Sequence, residues 1–240
     1  LLLMHVDSCN PDYDLLKNIE SYVKNGADLT KQLLGFAKGG KYEVKPTDLN
    51  KLITRTLGMF ARTRKEIIIH REFAQDIWTV EVDQGQIEQA LLNLFINAWE
   101  AMPSGGDLYI RTENVILDEN YTRPYEIPAG KYVKTSVTDN GVGMEKETLQ
   151  RVFDPFFTTK EMGRGTGLGL ASVYGIIKNH GGVIKVYSEV QKGTTFTVYL
   201  PTSDKEVIEE LPAAEQIVRG SGTILLIDDE QMILEVTAEM

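Results

Sequence analysis

The spacing of apolar residues divides the chain into segments of different texture. Leu15, Ile19, Tyr22, Leu29, Leu33 and Phe36 recur at alternating four- and three-residue steps, with Gly26 filling the one open slot. That heptad-like stripe suits a helix packed in a bundle rather than an isolated surface helix. Asn10 and Pro11 supply an N-cap and a first-turn proline before it, and Gly39-Gly40 stop it. A second helix is expected from about Asp48 to Arg62, with Leu49, Leu52, Ile53, Leu57 and Phe60 on one face. After residue 63 the texture changes: "EIIIHREF" (66–73) and "IWTVEV" (77–82) read as strands joined by a short connection. Asp83 then caps a helix whose buried face is Ile87, Ala90, Leu91, Leu94, Phe95 and Ala98. Further strands are expected at 107–116, 132–138, 183–189 and 194–200, with a helix over 167–179. Residues 141–164 are irregular apart from one short helix at "KETLQRVF". The sum is an α+β fold, a two-layer α/β sandwich of a mixed sheet with helices on one face, preceded by the bundle-type helix.

Beyond Pro201 the text turns acidic and weakly periodic, as in a linker. "TILLIDDE" then reads as a buried strand ending on Asp228 and Asp229, and "MILEVTAEM" as the start of a helix. That piece is too short for a domain. The opening on three leucines reads like an interrupted helix, so a fragment of a longer protein is expected.

Composition narrows the function. The formal net charge is −10, which argues against a nucleic-acid partner, because phosphate backbones reward clustered Lys and Arg. Cys9 is the only cysteine, so neither an internal disulfide nor a cysteine-based zinc site can form, and a reducing cytoplasmic setting fits. No apolar run approaches the roughly 20 residues of a membrane helix. "LLLMHV" is also too short, and lacks the basic leader and cleavage site of a signal peptide.

Four stretches could carry chemistry. Asn93 and Asn97 lie four apart on one helix and so share a side; with Gln86 and Glu100 they form a polar stripe opposite the apolar face. A solvated face is the plain reading, yet Asn is a poor interior helix residue. Two amide oxygens at this spacing can hold one hard cation such as Mg²⁺, with waters and phosphates completing its shell. "DNGVGM" (139–144) is either a surface turn or an acceptor, Asp139, presented at a strand end, with Gly141 and Gly143 letting a flat ring approach the backbone. In "FDPFFTTK", Phe153 suits the core and Lys160 suits a phosphate. "GRGTGLGL" (163–170) matches neither the dinucleotide-binding nor the phosphate-loop pattern. "GFAKGGK" (35–41) imitates the latter, but Tyr42 replaces Ser or Thr and a helix precedes it. Gly165, Gly167 and Gly169 run straight into a helix, whose first N–H groups can bind phosphate oxygens.

In this order, inside one mixed α/β unit, the stretches resemble the ATP-binding domain of sensor histidine kinases, within the group that includes gyrase-type topoisomerases, mismatch-repair ATPases and one chaperone family. "NLFINAWEA" resembles the N box, "DNGVGM" the G1 box, "FDPFF" the F box, "GRGTGLGLA" the G2 box and "GTTFTVYLP" the closing strand. The resemblance implies a Bergerat-type fold binding ATP and Mg²⁺. It implies catalytic roles for Asn93, Asn97 and Lys160, with Asn97 and Asn93 as Mg²⁺ ligands. It implies nucleotide contacts from Asp139, Gly141, Gly143, Phe153, Arg164, Gly165, Thr166, Gly167, Leu168, Gly169 and, through water, Thr194. Residues 141 to 169 would form a mobile lid. By the same resemblance, 1–40 are part of the dimerisation and phosphotransfer hairpin, 41–201 the catalytic ATP-binding domain, 202–221 a linker and 222–240 the start of a receiver domain, with Asp228 and Asp229 near its Mg²⁺ site. The implied partners are ATP or ADP, a second copy in a homodimer, and a receiver domain in cis or in trans.

An ATP-hydrolysing member of the group is the alternative. Its general base is a glutamate at the position of Asn93, and an amide cannot take a proton from water, so phosphoryl transfer to a side chain is favoured. No histidine present suits the acceptor: His5 is wrongly spaced, His70 lies mid-strand, and His180 sits at a helix C-terminus, where a positive charge would be favourable. The acceptor is expected upstream of residue 1 and the receiver aspartate downstream of residue 240.

Overall fold

The computed structural model describes residues 43–160 and 166–205. The amino-terminal helix, residues 206–221 of the linker, the receiver-like stub, His5, Arg164, Gly165, Asp228 and Asp229 lie outside the described residues.

Helix α1 (Leu49–Thr63) begins at Asp48, whose carboxylate accepts from Lys51 N at 3.1 Å. It buries Leu49, Leu52, Ile53, Thr56, Leu57 and Phe60, the expected stripe plus one threonine whose hydroxyl donates to Leu52 O. Helix α2 (Gln84–Glu100) is capped by Asp83, which accepts from Gln86 N at 3.0 Å, and buries the six residues its period names. Each such Leu, Ile or Phe contributes about 1.5–3 kcal/mol on burial. The stripes meet where Phe60 and Phe95 lie 5.7 Å apart.

Five strands form one sheet in the order β2 (Ile67–Phe73), β4 (Gly106–Leu117), β5 (Gly130–Asp139), β7 (Gly193–Pro201), β6 (Val183–Glu189). β2 and β4 run parallel, and every other pair is antiparallel. The inward row Leu108, Ile110, Val133, Val137, Phe196, Val198 and Leu200 packs in one core with α1, α2 and α5 (Gly169–Asn179).

One strand is shorter than expected and another was not anticipated. The segments at 66–73 and 77–82 do not pair with each other. β3 is only Val80–Asp83 and pairs antiparallel with β1 (Val44–Thr47), a strand whose Pro46 hides it from propensity reading. β2 instead pairs with β4 across a crossover that carries α2, since parallel neighbours cannot be joined by a tight turn. Residues 118–125 add a short helix, α3 (Glu119–Thr122), and a 3₁₀ turn. Its Tyr121 donates to Tyr199 Oη at 2.8 Å and joins a small outer cluster of Leu117, Tyr132, Val183 and Tyr199. Helix α4 (Lys146–Arg151) realises the short helix expected in 141–164.

Two histidines are structural. His70 Nε2 meets Asp107 Oδ1 at 2.7 Å while its ring stacks on Tyr109. His180 follows α5, is buried, and accepts Asp83 N–H on Nε2 at 3.0 Å with Nδ1 on Ile176 O at 2.7 Å. An acceptor at Nε2 requires the neutral ring, so the expected cationic helix terminus is replaced by a neutral peg between α5 and the β3–α2 junction.

Candidate nucleotide site

A cavity of about 500 Å³ opens between α2, the loop after β5, the "FFTTK" stretch and the start of α5. Asn93, Asn97, Asp139, Gly143, Lys160, Thr166, Gly167, Gly169 and Thr194 all line it, so most of the expected site residues converge on one space.

Asn93 and Asn97 face it from α2. Asn97 Nδ2 donates to Asn93 O at 2.7 Å, and Asn93 Nδ2 donates to Gly169 O at 3.3 Å. With both amide nitrogens held on backbone carbonyls, the two Oδ1 atoms remain as the available hard donors. That donor set fits Mg²⁺ with phosphate and water completing six oxygens. No cluster of three His, Cys, Asp or Glu able to hold a metal exists among the described residues, so a cation here would depend on its anionic ligand.

Asp139 ends β5 and is 3% exposed. Its Oδ1 accepts Gly141 N–H at 2.9 Å and Thr194 N–H at 3.2 Å. Burial pushes its carboxyl above the ordinary range, and the two backbone donors hold it back in part. The Asp139–Thr194 pairing in the β5–β7 register places Thr194 beside it.

The glycines of "DNGVGM" serve packing inside the protein. A Cβ on Gly141 would lie 2.5 Å from Ala101 O, the carbonyl that accepts Val142 N–H at 3.0 Å. Gly143 has φ +68°, and a Cβ there would lie 2.0 Å from Glu189 O. Their bareness is thus required by α2 and by the β6–β7 hairpin, with or without a flat ring nearby.

Lys160 Nζ forms an ion pair with Glu100 on the cavity wall. Phe153 is packed between Tyr174 and Phe196, as its core reading expects, and does not line the cavity. Leu168 is buried and can offer only its backbone. α5 begins at Gly169 with no side-chain cap, and Gly169 and Leu170 of its first turn line the cavity.

Sequence reasoning missed Ser188 and the partner of Lys160. Ser188 is buried on β6, and its hydroxyl touches Met144 N, Gly193 O and Thr194 Oγ1. A signal was present: it continues the inward row of Ile184 and Val186, where a polar residue needs a reason.

An α/β sandwich with a buried acceptor carboxylate, a paired-amide helix and an uncapped helix start around one cavity defines an ATP-binding catalytic domain of the histidine kinase type. Residues 82–204 match the family described as histidine kinase-, DNA gyrase B-, and HSP90-like ATPase, and the chain belongs to that family. Sensor kinase CckA of Brucella abortus is 37% identical over 97% of this chain and 26% of its own length. The catalytic domain of histidine kinase ThkA is 32% identical, with TM-score 0.55 over 67% of this chain and 96% of that one. The structure of ThkA in complex with response regulator protein TrrA matches with TM-score 0.62 and 25% identity over 83% of this chain and 54% of that one. The chain spans about a quarter to a third of the length of the curated relatives it matches. No helix among the described residues is long and apolar enough to cross a membrane.

Proposed function

We propose that this chain is the ATP-binding, phosphoryl-donating region of a two-component sensor histidine kinase, acting on a histidine outside this sequence. The observation that carries the reading is the convergence of Asp139 with the Asn93–Asn97 pair on one cavity. Asp139 accepts from the exocyclic amine of adenine. Asn93 and Asn97 would hold Mg²⁺ through their oxygens, where it would supply positive charge beside the phosphates. The first turn of α5 and Lys160 meet phosphate oxygens, Lys160 leaving Glu100 to do so. Phosphoryl transfer asks the protein for positioning and charge stabilisation, which these groups supply.

Hydrolysis would need a base to activate water, and the α2 position that faces the cavity carries an amide. The described histidines are both engaged structurally, one buried and one on Asp107. Relay to a receiver aspartate, in cis or in trans, and action as a homodimer belong to the intact protein. The segments at 1–40, 202–221 and 222–240 are proposed as parts of the phosphotransfer hairpin, a linker and a receiver domain.

The test is incubation of this chain and of its full-length parent with γ-labelled ATP. The chain should bind ATP and release little phosphate, and the parent should gain acid-labile, base-stable label that Asn97→Ala abolishes. Rapid phosphate release by the chain, lost in Asn97→Ala, would instead assign it to the hydrolysing branch.

A further inference from the structure

The hydroxyl of Ser188 lies at the meeting point of three segments. It is 2.9 Å from Met144 N in the loop after β5, 2.8 Å from Gly193 O at the β6–β7 turn, and 3.0 Å from Thr194 Oγ1 on β7. The polarity of these bonds follows from a proton count. A hydroxyl has one proton and two lone pairs. Gly193 O can only accept, so Ser188 spends its proton there. Met144 N–H can only donate, so it takes one lone pair. The other lone pair is left for Thr194, whose own proton must therefore point at Ser188.

Thr194 Oγ1 then has lone pairs alone to offer the cavity that this residue lines. The ionised carboxylate of Asp139, beside it, also presents only acceptor capacity, with Oδ1 already receiving Gly141 N–H and Thr194 N–H. Both Asp139 and Thr194 line the cavity. We infer that Ser188 is a positioning residue for base specificity: by holding the Thr194 proton, it makes the paired side chains of this wall acceptors and so selects a purine carrying an amine over one carrying a carbonyl at the same edge. The inference rests on the nucleotide reading of the cavity. The exocyclic amine of adenine offers N–H groups that such acceptors take directly. A guanine edge turns a carbonyl oxygen against the same lone pairs, which leaves buried polar groups unpaired.

Removing the Ser188 hydroxyl frees the Thr194 proton to rotate into the cavity, where it can donate to a carbonyl. The loss should fall unequally on the two purines, which a purely structural role would not produce. The experiment measures ATP and GTP affinity by calorimetry for wild type, Ser188→Ala, Thr194→Val and the double variant. The expected result is a fall of about tenfold in the ATP-over-GTP ratio for Ser188→Ala, the scale of one hydrogen bond. In the Thr194→Val background the same change should leave the ratio unaltered, because Ser188 acts through Thr194. Equal losses for both nucleotides, or a further change of ratio in the double variant, would overturn the assignment. Ser188→Cys keeps the volume with a weaker donor and acceptor, so it gives the same reading should Ser188→Ala fail to fold. If the wild-type chain binds neither nucleotide, the ATP reading itself fails, and this inference with it.

Discussion

Asp139 shows how a residue can be held against its own preference. The fold removes its carboxylate from water, raising its pKa, and backbone N–H groups, those of Gly141 and Thr194 among them, compensate only in part. A folded pKa above the unfolded value means that the native state binds the proton more tightly. Stability tied to this group is therefore greatest at acid pH, and is lost as pH rises from the unfolded carboxylate value, about 4, through the raised folded one. Asp139→Asn keeps the acceptor for both backbone donors and removes the charge. We expect this variant to melt a few degrees above wild type near neutral pH, the gap closing toward pH 4, as thermal scans across that range would show. The same variant should lose ATP affinity on the order of a hundredfold, since an amide donor replaces the acceptor facing the amine. A variant no more stable than wild type at pH 7 would contradict the strain assigned to this carboxylate.

Residue chemistry was legible where one residue type has one good reason. The Asn pair on α2 and the aspartate at a strand end both stood out because each is costly in its place. Ser188 did not, because its meaning depends on the loop after β5, which brings Met144 from 44 residues away onto a hydroxyl already engaged by the β6–β7 turn. The partner of Lys160 was hidden for the same reason: Glu100 is sixty residues away in sequence.

At the scale of elements, helices were readable and strand partners were not. α1 and α2 announce themselves by an aspartate cap and a 3.6-residue stripe, both local signals. Pairing of β2 with β4 depends on a crossover that no local signal specifies. β5 offers a test of packing. Thr135 Oγ1 is buried and has no hydrogen-bond partner among the described residues, in a row otherwise made of Val133 and Val137. Thr135→Val should stabilise the fold by about 1 kcal/mol, measured by urea unfolding, because a desolvated hydroxyl is replaced by a methyl group. Gly143 gives the opposite sign. With φ +68° and Glu189 O where a Cβ would sit, Gly143→Ala should destabilise by roughly 2 kcal/mol or more and weaken ATP binding as the loop shifts off the hairpin. A neutral Gly143→Ala would show that the loop has room to move.

Across the whole molecule, composition said only what the chain is not, and the site supplied the rest. With a net charge of −10 the protein repels polyanions in general, so a tetra-anionic nucleotide must be captured by local devices. On the proposed reading those would be the first turn of α5, Lys160 once it leaves Glu100, and a cation held by the Asn pair. The most direct measurement is calorimetric titration of ATP into the chain, with and without Mg²⁺, repeated for Asn97→Ala. One site in the micromolar to millimolar range usual for enzyme substrates is expected, tightened by Mg²⁺ in wild type and not in Asn97→Ala. Absence of binding at millimolar ATP, or a Mg²⁺ effect that survives unchanged in Asn97→Ala, would contradict it.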